Sequence, residues 1–513
     1  MISRFLTLAV MSVGLVGCGE DTAQTCTDKP PGTLIINVEV VDGSGATAIS
    51  ANVRVNDGLI SEVGDLSACS GDAVVDGGGR TLAPGFIDTH SHADSLIFEH
   101  PDALSAVSQG ITTVIVGQDG DSLYPLADFY SRLQRTPATV NVASYAGHNT
   151  IREMVLGEDF RRAASTEEIR MMSELLAGEL DSGALGLATG LEYDPGIYSS
   201  TDEVLELARV TAAAGGRYIS HIRSEDRRFE DAIDEIILIG RETGMPVQIS
   251  HFKLAMKRLW GSADDTLAKL DAARADGVQI TADIYPYEYW QSTMMVMLPE
   301  RDYTDREAIT EVLDQLAPPE GMWMTKFDPQ PEYVGKTLTE IAALREIDTV
   351  SAFSQLAQEA DLMRKETGER AEAIIGTSMT EADIGTLMSW PQTNICTDGG
   401  LTDLHPRGIG SFPRVLGRYV REQQLMTLET AVHKMTGLAA EHMGFTDRGL
   451  IKPGAVADLV LFDPDTVIDR ATPENPHRLS DGITAVWVGG ELVFEDGVTT
   501  DARPGKVIRR SNK

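Results

Sequence analysis

Between Phe86 and Asp398, short apolar runs alternate with helix-length amphipathic segments, and this alternation constrains the fold more than any other feature. The apolar runs are Phe86–His92, Thr112–Val116, Thr139–Ser144, Ala184–Ala188, Arg217–His221, Pro246–His251, Gln279–Ile284 and Asn394–Asp398, eight in all. Segments such as Thr166–Leu180, Ser200–Ala214 and Phe229–Thr243 carry apolar residues at helical spacing between them. Repeated β–α units predict a parallel sheet, since each crossover helix returns the chain to the same edge direction. Eight of them predict a closed (β/α)8 TIM-type barrel over residues 84–446. One gap in the alternation, about 291–373, is far longer than a helix and contains the helix-like run Lys336–Leu344. It reads as a subdomain inserted between strands seven and eight, placed to cover the barrel mouth.

Both ends of the chain have β texture. Leu34–Val41, Ala51–Val55, Ile60–Val63 and Ala73–Asp76 are short β-runs, with Asn56-Asp57-Gly58 as a hairpin turn. Beyond Gly449 the same texture returns in Ala457–Phe462, Ala485–Val488 and Glu491–Phe494. Residues 32–83 and 447–513 are therefore expected to form one small β-sandwich domain from both ends.

The first residues read as an export signal. Arg4 is followed by the nearly all-apolar run Phe5–Val16, too short to span a membrane. Leu15-Val16-Gly17-Cys18 resembles the bacterial lipobox, which predicts a signal peptide over residues 1–17, a lipid on Cys18, and a polar tether over 18–31. Gly19 after that cysteine favours the outer membrane. The expected location is thus outside the cytoplasm, anchored by lipid, and an exported chain permits a Cys26–Cys69 disulfide. Cys396 is expected in a buried strand. With 78 acidic against 43 basic residues, the net charge of −35 argues against nucleic acid or an anionic membrane surface as the principal partner.

Barrels of this kind carry their chemistry at the C-terminal ends of the strands. His90 and His92 lie in the Phe86–His92 run, His221 closes Tyr218-Ile219-Ser220-His221, His251 closes Gln248-Ile249-Ser250-His251, and Asp398 follows Ile395-Cys396-Thr397. On a strand, residues two apart share a face, so His90 and His92 are expected about 7 Å apart on one side. Four of the ten histidines fall at such ends. Imidazole and carboxylate groups gathered there point to a metal centre, with zinc well suited. The bland alternative, two surface histidines in a polar loop, does not account for the other strand ends.

His-x-His on strand one, single histidines on strands five and six, and Asp on strand eight together resemble the amidohydrolase superfamily. The finer text is similar to the N-acyl-D-amino-acid deacylase (D-aminoacylase) family: Gly147-His148-Asn149-Thr150-Ile151-Arg152, Gly190-Leu191-Glu192-Tyr193, Ser220-His221-Ile222-Arg223, Ser250-His251-Phe252-Lys253, Asp283-Ile284-Tyr285-Pro286-Tyr287 and His405-Pro406-Arg407. The resemblance implies hydrolysis of the amide of small N-acyl-D-amino acids, or related D-residue peptides, with one or two Zn2+ ions. It implies His221, His251 and Asp119 as the tighter metal half, and His90, His92 and Asp398 as the weaker. The chain departs from the family at Gln118-Asp119-Gly120, where an Asn-Cys-Gly triplet is usual. Asp119 either replaces the thiolate as a harder ligand, opening the site to other divalent metals, or is only a turn residue.

Asp398 has the chemistry of a general acid/base as well as of a ligand. Lys253, Arg223 and Arg407 are expected to supply positive charge for a substrate carboxylate, with a structural salt bridge as the competing reading. Tyr193 and Tyr285 are candidates to donate to a developing oxyanion or simply to pack, and His148 is a candidate support for the site. The competing functions are a deaminase, a cyclic-amide hydrolase and a catalytically silent ligand-binding lipoprotein. The fourth strand lacks the lysine that carboxylated-lysine centres of cyclic-amide hydrolases need.

Overall fold

Buried runs of three to six residues, broken only by half-buried Arg217 and Thr281, form the barrel staves, and in the computed structural model, which describes residues 31–510, they close into a parallel ring. The strands are Phe86–Asp88, Ile111–Val116, Asn141–Ser144 (resuming as Ala146–Gly147), Gly186–Gly190, Arg217–His221, Val247–Ile249, Ile280–Ile284 and Thr393–Ile395. Each pairs in parallel with the next, and the Ser91–Gly399 bridge with the Asp398 N–H to His90 carbonyl bond (2.9 Å) joins the last to the first. The expected segments are all present, but several are shorter than expected at the end that carries the chemistry.

The outer helices follow from capping and periodicity. Thr166–Asp181 starts at a capping box in which the Glu168 N–H donates to Ser165 Oγ and the Ser165 N–H donates to Glu168 Oε2. Met172, Leu176 and Leu180, four apart, form the stripe it buries.

A second, eight-stranded sheet draws on both chain ends. Thr33–Val40, Ile49–Asn56, Leu59–Gly64 and Ala73–Pro84 join Leu459–Phe462, Ile483–Val488, Glu491–Glu495 and Val498–Thr499. It curls so that Ile35, Val53, Val55 and Ile60 share one apolar core with Leu459, Leu461, Ala485 and Trp487. Ala73–Pro84 lies mid-sheet between Thr33–Val40 and Leu459–Phe462, and its end feeds the first barrel strand. Gly85 makes the crossing: a Cβ there would lie 2.3 Å from the Thr112 side chain, so only glycine allows the two units to approach this closely.

The insertion is a three-stranded antiparallel sheet of Tyr289–Ser292, Met322–Phe327 and Glu372–Thr377, with helices Arg306–Gln315, Leu338–Leu344 and Thr349–Thr367. Its strands extend slightly beyond 291–373 on both sides. It places Trp290, Gln291, Ser292, Val296, Leu316 and Ala373 on the wall of the cavity at the barrel mouth.

Cys396 is fully buried just past the last barrel strand. Cys69 is disulfide-bonded, while its expected partner Cys26 lies outside the described residues, as do the signal segment, Cys18 and most of the tether. Among the described residues no helix is long and apolar enough to cross a membrane.

Candidate active site

The first barrel strand stops at Asp88, so His90 and His92 do not share a face of extended strand. The Asp88 carboxylate accepts the His90 N–H (3.4 Å), an Asx-type turn that replaces the ladder, and ties this turn to the Thr397 N–H (2.9 Å). The sixth strand likewise stops at Ile249. His251 follows with its N–H donating to Asp283 Oδ1 at 2.5 Å. Asp119, His251 and Asp398 all have positive φ, 53°, 34° and 51°. Such left-handed backbone is unfavourable for His in particular, and it clusters at functional sites because the surroundings over-determine it.

These turns bring six side chains together. His92 Nε2 lies 3.2 Å from Asp398 Oδ1 and 3.5 Å from Asp119 Oδ2; His90 Nε2 lies 3.4 Å from Asp119 Oδ1 and 3.6 Å from Asp398 Oδ1. On the other side, His251 Nε2 is 3.2 Å from Asp119 Oδ1 and 3.0 Å from His221 Nδ1. His90, His92, Asp119 and Asp398 make one group able to hold an ion, and Asp119, His221 and His251 another, with Asp119 in both.

The residues present fit a divalent cation. Both ring nitrogens of His90 are buried without a hydrogen-bond partner, and a metal at the lone-pair nitrogen would remove that nitrogen's share of the cost. Burial and the Lys253 ammonium oppose positive charge on His251, yet Asp398, Asp119 and Glu225 outweigh them and push its pKa up to about 10. A field that draws protons onto imidazoles also favours a metal ion, whose binding displaces those protons.

Two carboxylates escaped the reading of the sequence. Glu192 Oε2 meets His221 Nε2 at 3.0 Å, and Glu225 Oε1 meets His251 Nδ1 at 3.0 Å. With His221 they form a third cluster of potential ligands. Glu192 lies just past the fourth strand, where strand-end logic could have flagged it; Glu225 carries no such signal.

Lys253 lines the cavity, its Nζ 2.6 and 2.8 Å from the Glu225 carboxylate. Arg407 also lines it and donates to Asp398 Oδ2 at 2.5 Å, with its guanidinium carbon 4.8 Å from the Tyr285 ring centroid. The Arg407 N–H donates to His405 Nδ1, whose Nε2 meets the Tyr289 carbonyl, so His405 ties the backbone of Arg407 to the strand that begins the insertion. The Tyr285 hydroxyl is buried on the cavity wall with no hydrogen-bond partner, and the Tyr193 ring packs 4.5 Å from that of His221. Together these residues border a cavity of about 360 Å³, within the range of small-molecule sites.

Two expectations fail. Arg223 does not line this cavity: the strand ends at His221, and the guanidinium turns to a two-pronged pair with Glu235 (2.8 and 2.9 Å) and the Ser199 carbonyl. His148 contacts none of the six ligand candidates. Its Nε2 lies 2.9 Å from Glu203, which also takes two hydrogen bonds from the fully buried Arg152. Glu203→Ala leaves that buried guanidinium with backbone carbonyls but no counter-charge, so a loss of about 3–5 kcal/mol is expected. Thermal or denaturant unfolding measures it, with zinc content unchanged.

A family model described as "Amidohydrolase family" matches residues 73–494. An N-acyl-D-glutamate deacylase of Alcaligenes xylosoxydans xylosoxydans is 39% identical over 496 residues, 92% of this chain and 95% of that protein. A D-aminoacylase of the same organism is 35% identical over 508 residues, 94% and 98% of the two chains. A crystal structure of N-acyl-D-glutamate deacylase from Bordetella bronchiseptica, complexed with zinc and a phosphonate mimic of the tetrahedral intermediate, superposes with a TM-score of 0.84 at 36% identity, covering 94% of this chain and 100% of that one.

Proposed function

This chain belongs to the amidohydrolase family, and from that premise we propose that it is a zinc-dependent N-acyl-D-amino-acid deacylase, hydrolysing a linear amide to a carboxylate and a free D-amino acid. The observation that carries this reading is the convergence of six imidazole and carboxylate groups beside two cationic side chains in one cavity, in a chain similar along its length to D-specific deacylases. His221, His251 and Asp119 would hold one metal position, the tighter by resemblance to the family, and His90, His92 and Asp398 the weaker. When bound, zinc supplies a Lewis acid that polarises the scissile carbonyl and makes water acidic enough to attack near neutral pH.

The chain's own residues do the rest. Burial alone would push the Asp398 carboxyl up, but Arg407, His251, His92 and His90 hold it well below the ordinary carboxylate range, so it stands ionised, the form in which a carboxylate can act as a base. It takes a proton from the attacking water and returns it to the leaving amine. Arg407 and Lys253 receive the substrate carboxylate. Tyr285, which lines the cavity and whose hydroxyl has no hydrogen-bond partner, is the donor for the oxyanion, and Tyr193 holds the His221 ring by packing.

Zinc-loaded protein should release free amino acid from N-acetyl-D-amino acids and leave the L-enantiomers intact. Amine release from neither series would overturn the assignment, and equal rates on both would remove its stereochemical part. The signal text at the start of the chain supports export and lipid anchoring at Cys18. In a bacterial host, Cys18→Ser should abolish incorporation of labelled palmitate and move the protein out of the membrane fraction.

A further inference from the structure

His221 and His251 face each other across the tighter half of the site through Nδ1 and Nε2, and each has a second nitrogen pointing away. Both second nitrogens meet a carboxylate: Glu192 at His221 Nε2 and Glu225 at His251 Nδ1, each at 3.0 Å. The carboxylates are linked, because the other Glu192 oxygen accepts the Glu225 backbone N–H at 2.8 Å. His221, His251 and Glu225 are buried and Glu192 is half-buried.

At His251 there is a competitor. Lys253 Nζ lies 2.6 Å from the same Nδ1, while also 2.6 and 2.8 Å from the Glu225 oxygens. A neutral imidazole has one N–H and one lone pair, so the partner at one nitrogen decides what the other offers. An ammonium donating to Nδ1 puts the ring proton on Nε2, the atom aimed at Asp119 and the metal position. A carboxylate accepting from Nδ1–H leaves the Nε2 lone pair free. Glu192 makes the same decision at His221, where no cation competes.

We propose that Glu192 and Glu225 are positioning residues that hold His221 and His251 in their metal-binding tautomers, and that Glu225 does so in competition with Lys253, whose ammonium its two oxygens engage while it also lies within reach of His251 Nδ1. This rests on the metal-centre reading above. Partners of this kind orient ligand imidazoles and are worth about 10- to 100-fold in metal affinity. It also gives Lys253 a cost: the cation that serves the substrate carboxylate opposes the metal unless Glu225 is present.

The test is zinc affinity by chelator competition on the full chain, with the melting temperature of the metal-free protein as the measure of folding. Glu192→Gln and Glu225→Ala should each bind zinc about 10- to 100-fold more weakly with little change in metal-free melting. Lys253→Met alone should bind zinc at least as tightly as wild type, and Glu225→Ala with Lys253→Met should recover much of the affinity lost in Glu225→Ala. Should Glu225→Ala fold poorly, Glu225→Gln with and without Lys253→Met makes the same comparison. Unchanged affinity in Glu192→Gln and Glu225→Ala, no recovery in the double variant, or loss of a whole zinc equivalent in Glu192→Gln would each overturn the proposal. Wild type that binds no zinc would instead overturn the metal-centre reading beneath it.

Discussion

Asp398→Asn is expected to lower kcat/KM by about 10³- to 10⁴-fold while the tighter-bound zinc stays in place. Asn keeps the shape and one acceptor oxygen, and like Asp it tolerates the left-handed backbone found at residue 398, where φ is 51°. What it cannot do is accept and return a proton. It also removes a charge that faces His90, His92 and Arg407 at once, so the weaker metal half should be lost and total zinc should fall toward one equivalent. The two effects separate experimentally: metal analysis reports the ligand role, and kcat under zinc saturation reports the proton role. A variant that recovers full kcat when zinc is added would leave Asp398 a ligand only.

The parts of this molecule that were legible in the sequence are those that local periodicity and strand-end logic determine. Eight buried runs separated by amphipathic helices specify a barrel, and His221 and Asp398 were found because an apolar run gives way to polar text just there. The sequence is far less informative about what happens one or two residues later. The Asx-type turn at Asp88 ends the first strand early, yet its carboxylate reads in the sequence like any other. Where the fifth strand stops at His221, Arg223 rotates away to Glu235, and a face argument built on continued strand fails. Lys253 reaches the cavity although its strand also ends, because the turn at His251 carries it inward. Glu225 was invisible for a different reason. Among 78 acidic residues, a carboxylate in a loop carries no signal until a fold sets it beside an imidazole nitrogen. His148 shows the converse error, a histidine in suggestive text whose partner is the buried Glu203, which it shares with Arg152.

The second large effect is expected at Asp119, the position where the chain departs from the family text. Asn is the informative replacement: φ is 53° at Asp119, and Asn accepts that conformation with less strain than Ala, so the turn before Gly120 survives. If Asp119 were only a turn residue, Asp119→Asn would retain both zinc and activity. The geometry argues otherwise, because one carboxylate faces His90 and His251 through Oδ1 and His92 through Oδ2. Removing its charge takes a ligand from both halves together. Orienting partners outside the metal's own ligands are worth 10- to 100-fold, so loss of this shared ligand should weaken zinc binding by about 10³-fold or more, with activity lost in proportion. Asp119→Cys supplies a thiolate at the same point and should restore tight zinc, since sulfur and zinc are well matched. The two chemistries should then part in metal choice. The carboxylate enzyme should keep activity when zinc is replaced by a harder ion such as Mn2+, and the Cys variant should lose it, because soft thiolate ligands favour zinc over oxygen-seeking metals. Equal manganese activity in the two would mean that residue 119 does not set the metal preference, whatever its contribution to affinity.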